Sequence, residues 1–476
     1  MILLERHILK NKVRGLQLLT ISIFRINYFM RVILPEIKEL ISSKKKRPIR
    51  KVVSYFEPAD IAEIWSELTL NEQLILFNAL EIKFATDIFE FLKEDQMIEI
   101  LNNISIEKKK AILNEMSPDD RTDLFAILPN EETEKLIPLL EEDEQKRTRE
   151  LLAYKENTAG GLMTTDYITV PEDVKIGYVF KELRNKAKDI DFIQNIYVID
   201  KMNRLQGTIP LKDLLTTNPR RKVSTVMDTH ILSVVLDMDQ EDVTHVFEKY
   251  DEPSLPVLDK LGRLKGVITV DDVLDVITEE ASEDIYRFGA AGGTDEYLSA
   301  SPFRVAQKRV IWLIILALAG FISGSVLEHF SFLLSSIVTL SFFIPILMNT
   351  SGSAGTQAAT VVVRGLATGE IKLSDIWRVI RKEFLIGILM GVVAGVITAL
   401  RAIVLQGDVM LGFTVAIAMI VAIIIATSLG GILPIIFKKL GVDPALMSGP
   451  LIATILDTTA LLIYFNVTML LLWRLQ

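Results

Sequence analysis

Apolar and polar residues follow different patterns in the two parts of this chain, and the change of pattern divides it. Apolar runs of spanning length, roughly 17 to 25 residues, occur near residues 310–328, 332–350, 385–406, 412–436 and 446–473. These runs predict a transmembrane domain of five helices over residues 307–476. The residues before them show short amphipathic patterns, which predict domains outside the membrane.

The first of these outer domains is predicted to be helical. The segments EPADIAEIWSEL and SPDDRTDLFAIL lie 60 residues apart, and each has a proline, then acids, then an apolar stripe. Proline at the first helical position and acids in the first turn are typical of helix N-termini. Stacked short helices predict an α-helical, superhelical N domain over residues 31–150.

Residues 1–30 lie outside that pattern. The segment LQLLTISIF (17–25) is flanked by bases, is too short to span a bilayer and lacks a small-residue cleavage site. Two interpretations stay open for this N-terminal extension. Either translation starts at Met30, or the segment forms an amphipathic helix on the membrane surface.

An internal repeat follows the helical region. YVIDKMNRLQGTIPLKDLL (197–215) and PVLDKLGRLKGVITVDDVL (256–274) match at 9 of 19 positions with an offset of 59 residues. Each repeat predicts a strand, a turn, a strand and a helix. This unit resembles the CBS domain, so residues 155–277 are expected to form an α/β tandem CBS pair. A connecting helix over residues 278–306 then leads into the first span.

Charge is distributed as unevenly as hydrophobicity. The net charge is −9 overall, but residues 52–308 hold 29 bases and 51 acids. Such a surface attracts cations and repels nucleic acid, so no nucleic-acid partner is expected. The chain has no cysteine, which excludes disulfides and thiolate metal sites.

Basic residues also predict an orientation in the membrane. They lie between the second and third apolar runs and between the fourth and fifth, at Lys438 and Lys439, whereas the other two short loops hold neither Lys nor Arg. By the positive-inside rule the basic loops are cytoplasmic. A multi-pass protein of the cytoplasmic membrane, in contact with lipid, is expected, with its N-terminus inside and its C-terminus outside.

One acid stands in the middle of the last apolar run, GPLIATILDTTALLIYF. A central aspartate costs roughly 2.5 to 3.5 kcal/mol on insertion scales, so such residues usually face a water-filled cavity. Gly449, Ala453 and Ala460 share a helical face with Asp457, and small residues leave room for water or another helix. The alternative is a protonated Asp457 bonded to a neighbouring helix. Arg401 is a candidate counter-ion, although its place near the outer end favours snorkelling.

The segment PILMNTSGSAGTQAATVVVRGLATGE (345–370) interrupts an apolar run with small and polar residues. Irregular backbone at membrane depth is tolerated only where it lines a cavity. This segment is therefore predicted to line a pathway, with a plain cytoplasmic loop as the alternative.

The available ligands favour a hard cation. No His or Cys lies within the spans, so zinc and copper lack their preferred ligands. One carboxylate among neutral oxygens suits an ion that keeps its waters, as magnesium does.

These segments together resemble the MgtE-type magnesium transporters. The most specific are VDDVLDVITEEASEDI (270–285), SAGTQAATVVVRGLATGE (353–370) and GVDPALMSGPLIATILDTTALLIYF (441–465). The resemblance implies a homodimer with a pore between two membrane domains, where Asp457 binds hydrated magnesium. It also implies that cytosolic magnesium closes the pore by bridging acids. These are Asp119 and Asp123 on the N domain, Asp239, Glu241, Asp251, Asp272 and Asp275 on the CBS pair, and Glu280, Glu283 and Asp284 on the connecting helix.

The chain departs from the family in one motif. The sequence usually written GGNxGxQ is SGSAGTQ here, with Ser351 and Ser353 in place of the first Gly and the Asn. A hydroxyl at either position can still face water, but the selectivity implied by the family does not follow.

Each acid has a plainer interpretation, because surface carboxylates are often solvated or cap helices, and Asp119 and Asp120 stand where capping alone would place them. A nucleotide site is a further hypothesis: Thr269 and Asp272 form the T-x-x-D that CBS domains commonly use near ribose, whereas the first repeat has Pro210 there. At most one ATP site per chain is expected.

Three functions therefore compete. The first is a magnesium-gated magnesium channel, the second an ion-coupled divalent-cation exchanger, and the third a membrane-anchored CBS sensor that transports nothing. An enzyme is not expected, because no nucleophile–base pair, phosphate loop or metal-hydrolase spacing is present.

Overall fold

The structure is a computed structural model that describes residues 34–43, 46–187, 190, 192–291, 300–444 and 449–472. The N-terminal extension (1–30) lies outside the described residues. The chain divides into two compact units, Met1–Leu274 and Asp275–Gln476, which are described separately.

The first unit begins with stacked short helices, as the proline and acid patterns predict. After a helix over residues 34–42, they are α1 (Lys46–Val53), α2 (Pro58–Glu63), α3 (Leu70–Ala79), α4 (Ile82–Glu90), α5 (Glu94–Asn103), α6 (Ile106–Glu115), α7 (Pro118–Ile127), α8 (Asn130–Leu136) and α9 (Glu142–Leu151). Both α2 and α7 begin with proline. Their apolar faces form one core, in which Trp65, Phe77 and Phe89 contact one another.

The α7 helix carries a fully buried arginine. The Arg121 side chain donates to the Leu113 carbonyl at 3.1 Å and to the Thr148 hydroxyl at 3.0 Å, and it forms an ion pair with Glu144. A buried charge is tolerated only with such partners. Arg121 therefore fixes the start of α7, where Asp119 stands, against α9.

The repeat forms two equivalent α/β modules. The first has α10 (Ala159–Leu162), β1 (Thr169–Pro171), α11 (Ile176–Lys186), β2 (Asn195–Ile199), β3 (Leu205–Pro210) and α12 (Leu211–Thr216). The second has β4 (Val234–Val235), α13 (Gln240–Tyr250), β5 (Ser254–Leu258), β6 (Leu264–Thr269) and the start of α14 (Val270–Phe288). In each sheet the first pair of strands is parallel and the second antiparallel.

The turns of the two repeats confirm the predicted strand–turn–strand units. Asn203 and Gly262 occupy equivalent positions and have φ angles of 60° and 75°, a conformation that Gly and Asn adopt at least cost. Leu205 N–H donates to the Gly262 carbonyl at 3.1 Å, and Leu264 N–H donates to the Asn203 carbonyl at 3.0 Å. The two modules are thus joined turn to turn.

The connecting helix differs from the predicted bounds. The helix α14 begins at Val270, directly after the last strand, and ends at Phe288. It therefore starts eight residues before position 278 and includes Asp272 and Asp275 at its beginning. The cause is local: Thr269 O–H donates to Asp272 Oδ2 at 2.7 Å, a side-chain bond across the first helical turn.

Five helices of 24 to 31 residues follow in the second unit. They are α15 (Pro302–His329), α17 (Ile344–Ala367), α18 (Ile376–Gln406), α19 (Val409–Lys439) and α20 (Gly449–Leu472), and a short helix, α16 (Ser331–Ser336), lies between the first two. Among the described residues, four of them have the length and hydropathy of membrane spans. The exception is α17, because its sequence is rich in small polar residues.

The second predicted span was misplaced. Residues 332–350 do not form one helix: α16 is followed by a 3₁₀ segment, Val338–Phe342, and Pro345 stands in the first turn of α17. The segment 345–370 is neither broken at membrane depth nor a loop, because Ile344–Ala367 is a continuous helix. Its hydroxyls bond to their own helix, as when Thr356 O–H donates to the Gly352 carbonyl at 2.8 Å.

Glycines in α17 and α19 explain why this polar helix packs well. A Cβ on Gly355 would meet the Ala426 carbonyl oxygen at 2.7 Å, and one on Gly430 would collide with the Gly355 backbone. The two helices therefore cross in backbone contact, as small residues permit in membrane proteins. This contact fixes the helix that faces Asp457.

Candidate metal sites

The Asp457 carboxylate lies against the backbone of α17. A Cβ added to Gly352 would stand 2.6 Å from Asp457 Oδ1. This oxygen is buried and has no hydrogen-bond partner among the residues that the structure describes. An unpartnered buried carboxylate oxygen is costly, so the site is chemically suited to a cation or its waters.

A polar stripe begins beside this carboxylate. Asn349, Ser353, Gln357, Thr360 and Arg364 are exposed, and their spacing places them along one face of α17. Ser351 does not share it: the side chain is fully buried, and its hydroxyl donates to the Leu347 carbonyl at 2.6 Å. The expectation that a hydroxyl at 351 faces water was therefore wrong, whereas Ser353 is exposed.

The candidate counter-ion does not reach Asp457. The Arg401 guanidinium carbon lies 5.0 Å from the centre of the Phe343 ring, a cation–π arrangement. Within the described ranges no Lys or Arg nitrogen lies within 4.0 Å of an Asp457 oxygen. Asp457 is thus not half of an ion pair between these two helices.

Sequence reasoning missed a second acid in the long helices. Glu383 is only 7% exposed, and Thr427 O–H donates to its carbonyl oxygen at 3.0 Å. Its Cγ packs where Gly431 has no side chain. The acid escaped notice because it follows Arg381 and Lys382, which resemble the end of a cytoplasmic loop.

In the first unit, the N domain and the CBS pair bring several acids together. Burial and the Asp119 carboxylate raise the pKa of Asp272 to about 8. Burial, together with Asp271, raises the pKa of Asp119, whose Oδ1 has no partner among the described residues. Asp119 and Asp272 are therefore close enough for their negative charges to repel each other.

Two further acids belong to this neighbourhood and were not predicted. Burial and Asp120 raise the pKa of Glu90 to about 8, and burial raises that of Asp166 to about 6 despite the nearby Arg147. Glu90 is the central residue of an apolar stretch, IFEFL, and its apolar neighbours were the only signal for it in the sequence.

Two of the other predicted acids of the first unit lie at opposite ends of α13. Asp239 caps α13 by accepting from Glu241 N–H at 3.0 Å, and Asp251 has a φ of 53° at the opposite end of α13. An 11-residue helix is about 17 Å long, so these two cannot share an ion. Asp123, Glu241 and Asp251 are exposed. The capping alternative holds for Asp239.

The acids of α14 that belong to the second unit lie on successive turns. Asp275 is exposed, while Glu280, Glu283 and Asp284 are half-buried. Burial, followed by the charges of Asp443 and Glu280, raises the pKa of Asp284. Arg287 forms ion pairs with Glu283 and with Asp443, which precedes α20. Across the described residues, no three acids or histidines are arranged to hold a metal ion without rearrangement.

Comparisons with known proteins connect these elements to one family. Family models described as a divalent cation transporter, the MgtE intracellular N domain and the CBS domain match residues 344–467, 56–157, and 159–218 with 223–279. The magnesium transporter MgtE of Thermus thermophilus is 36% identical over 440 residues, covering 92% of this chain and 98% of that protein. The chain belongs to the MgtE family. The resemblance inferred from the motifs is thereby confirmed, and this is not a family of enzymes.

Two more relatives agree with this assignment. The magnesium transporter MgtE of Bacillus subtilis is 35% identical, covering 90% of this chain and 95% of that protein. A crystal structure of the soluble part of a magnesium transporter is 28% identical, with a TM-score of 0.50, and covers 53% of this chain and 99% of that one. In this MgtE chain the match to the divalent cation transporter family begins at Ile344, the first residue of α17.

The MgtE chain also has a cleft in its CBS pair. Its enclosed volume is about 10 Å³, room for about one water molecule, and Asn195, Tyr197, Ser254 and Thr269 line it. A nucleotide would therefore require this cleft to open. Thr269 is at the cleft wall, but its hydroxyl is bonded to Asp272, which faces Asp119. Within the T-x-x-D pair, the Thr269 hydroxyl is thus already hydrogen-bonded, and the Asp272 carboxylate lies near that of Asp119.

The contact between Gly352 and Asp457 generates a prediction. A Gly352→Ala side chain would overlap Asp457 Oδ1 and displace the carboxylate. We expect magnesium uptake into cells to fall at least about tenfold, since misplacing a functional group by about 1 Å can cost about a hundredfold. The protein should still reach the membrane. Gly320→Ala is the matched control, because its Cβ would meet open space. Uptake equal to the parent's in Gly352→Ala would contradict this placement.

Proposed function

We propose that this MgtE chain transports Mg²⁺ across the cytoplasmic membrane and that Asp457 binds the ion in the pathway. The carrying observation is the buried, unpartnered Asp457 oxygen in the middle of an apolar helix. The relatives named as magnesium transporters, which match over nine-tenths of the chain, support magnesium as the substrate. In this proposal the membrane domain has five spans, with the N-terminus inside and the C-terminus outside.

The proposed pathway needs a second copy of the chain. The polar stripe of α17 is exposed in a single chain, and an exposed row of polar side chains on a membrane helix is costly against lipid. A homodimer that places two such stripes face to face would surround them with water and bring two Asp457 carboxylates to one axis. Membrane lipid would cover the remaining apolar faces, for example at Leu389, which is 71% exposed.

Channel behaviour is favoured over coupled exchange. Mg²⁺ gives up its waters reluctantly and is usually held by one or two carboxylates. At the proposed site, Asp457 offers one such carboxylate per chain beside neutral oxygens, so the ion would bind in hydrated form, weakly enough to leave again. Exchange would require a second ion to compete at Asp457. The third candidate, a CBS sensor that transports nothing, gives no role to a partnerless carboxylate in a membrane helix.

We further propose that cytosolic Mg²⁺ closes the pathway through the acidic groups outside the membrane. Within the first unit, Asp119 and Asp272 repel each other and Glu90 adds to that charge. In the second unit, Glu280, Glu283 and Asp284 stand on successive turns of α14. A divalent cation that draws such acids together stabilises the compact arrangement, and the stabilisation grows with the logarithm of the cation concentration. The result is negative feedback on uptake. Asp123, Asp239, Glu241, Asp251 and Asp275 remain predicted members of this regulatory set.

Asp457 variants test the transport role. In a strain that lacks other magnesium uptake, we expect the parent chain to restore growth at low magnesium and Asp457→Ala and Asp457→Asn to fail. Both variants remove the charge that attracts the cation, and the second keeps the size of the side chain. Asp408→Asn, in the cap of α19, is the matched control and should restore growth. Growth supported by Asp457→Ala would contradict the role of Asp457, and failure of the parent chain to restore growth would favour the sensor.

Neutralising the acids of α14 tests the gate. The combined variant Glu280→Gln, Glu283→Gln and Asp284→Asn loses the charges that magnesium would draw together, so closure should fail. We expect growth rescue at low magnesium but at least about a twofold excess of cellular magnesium when the medium is replete. Inductively coupled plasma mass spectrometry measures the magnesium content of the cells. A magnesium content equal to the parent's would contradict the gate.

ATP binding at the CBS pair is a separate proposal, supported by the T-x-x-D pair of Thr269 and Asp272. We expect the full-length protein in detergent to take up at most one labelled ATP per chain in equilibrium dialysis. The Thr269→Val variant should weaken binding by about 1 kcal/mol, the value of one hydrogen bond. Absence of uptake by the parent would end this proposal.

A further inference from the structure

The end of the connecting helix α14 is joined to the turn that precedes α20. The Arg287 guanidinium forms ion pairs with Glu283, one turn back on its own helix, and with Asp443 in the turn after α19. Gly441 begins that turn with a φ of 76°. One side chain thus links the helix to the segment that enters the Asp457 helix.

A second contact lies at the same junction. A Cβ on Gly449, the first residue of α20, would be 3.2 Å from Cε1 of the Phe288 ring. Because Phe288 and Arg287 are neighbours in sequence, the last turn of α14 contacts the residues on both sides of 445–448. Movement of α14 would therefore be transmitted to α20, whose ninth residue is Asp457.

Charge explains why this junction needs a cation. Glu280, Glu283, Asp284 and Asp443 are four acids that lie around it, and the charges of Asp443, Glu280 and Glu283 all act on Asp284. Arg287 is the base that pairs with two of them. Neighbouring negative charges repel, so they oppose contact between α14 and the turn before α20 unless a cation lies between them.

We propose that Arg287 is a tethered cation, a positioning residue that closes the junction between α14 and α20 without Mg²⁺. A guanidinium attached to the helix is always present at high effective concentration, whereas a divalent ion must be drawn from the cytosol. Cytosolic Mg²⁺ would then not be needed to form this contact. The effect on transport rests on the proposed function, but the contact itself does not.

The contact is measured directly in the full-length protein. Ile285 and Leu440 are 73% and 70% exposed and lie on the two sides of the junction, and the chain has no native cysteine. Spin labels on Ile285→Cys and Leu440→Cys would report their distance by pulsed electron resonance, in chelator and in saturating Mg²⁺. We expect one narrow distance distribution in both conditions.

Removing the ion pair between Arg287 and Asp443 should make the contact between α14 and the turn before α20 depend on magnesium. We expect Arg287→Gln to give a broad distribution in chelator and a narrow one in Mg²⁺, and Asp443→Asn to do the same from the other side. Arg287→Lys keeps the charge and should stay narrow in both. The control is Arg378→Gln, because Arg378 pairs with Asp375 at 3.0 Å elsewhere in the unit.

Transport gives a second readout. In Arg287→Gln the cytosolic Mg²⁺ concentration that halves the flux should rise between about 1.4-fold and fivefold, the range expected for partly exposed ion pairs. The proposed role of Arg287 would be wrong if the parent gave a broad distance distribution in chelator. It would also be wrong if both Arg287→Gln and Asp443→Asn gave a narrow distribution in chelator. If the flux did not depend on cytosolic Mg²⁺ in any variant, the proposed gating by Mg²⁺ would be wrong. The distance measurements would still test the role of Arg287.

Discussion

The burial of one carboxylate oxygen without a protein partner is the constraint on which the rest of the membrane unit depends. Asp457 Oδ1 lies against Gly352, and no described side chain neutralises it. Since a central aspartate costs roughly 2.5 to 3.5 kcal/mol on insertion scales, the neighbouring helix must be shaped to leave space for water or an ion. Glycine at 352 provides that space, and the glycine contacts between α17 and α19 hold the backbone in place.

Uncompensated negative charge also shapes the domains outside the membrane, but in a different arrangement. There, acids are crowded together rather than isolated, and their repulsion can be relieved in two ways. Asp119 and Asp272 have no base between them in the described part of the chain, whereas Glu283 and Asp443 share Arg287. We infer that the first kind of group responds to cytosolic Mg²⁺ and the second holds its contact without it.

Much of this organisation could be predicted from the sequence because it depends on local patterns. Proline and acid signals located α2 and α7, the repeat located the two sheets and their turns, and hydropathy located four of the long helices. The family motifs also pointed to Asp457, and the structure places a buried, unpartnered carboxylate there. Each of these signals is carried by neighbouring residues or by a strict period.

The misses came from packing between distant segments. The bounds of α17 could not be read from hydropathy, because its glycines and serines are favoured by contact with α19 and by bonds within the helix. Glu383 and Glu90 are buried by partners far away in sequence. Whether Asp119 approaches Asp272, or Arg287 reaches Asp443 across 156 positions, is likewise invisible to periodicity.

The most direct test of the account is the current that purified protein carries in a planar bilayer with Mg²⁺ as the only permeant cation. We expect single-channel currents that follow the Mg²⁺ gradient and voltage alone in the parent and are absent in Asp457→Asn. Flux that requires a counter-ion, or parent-like currents in Asp457→Asn, would contradict the assignment of Asp457 as the ion site of a passive pathway.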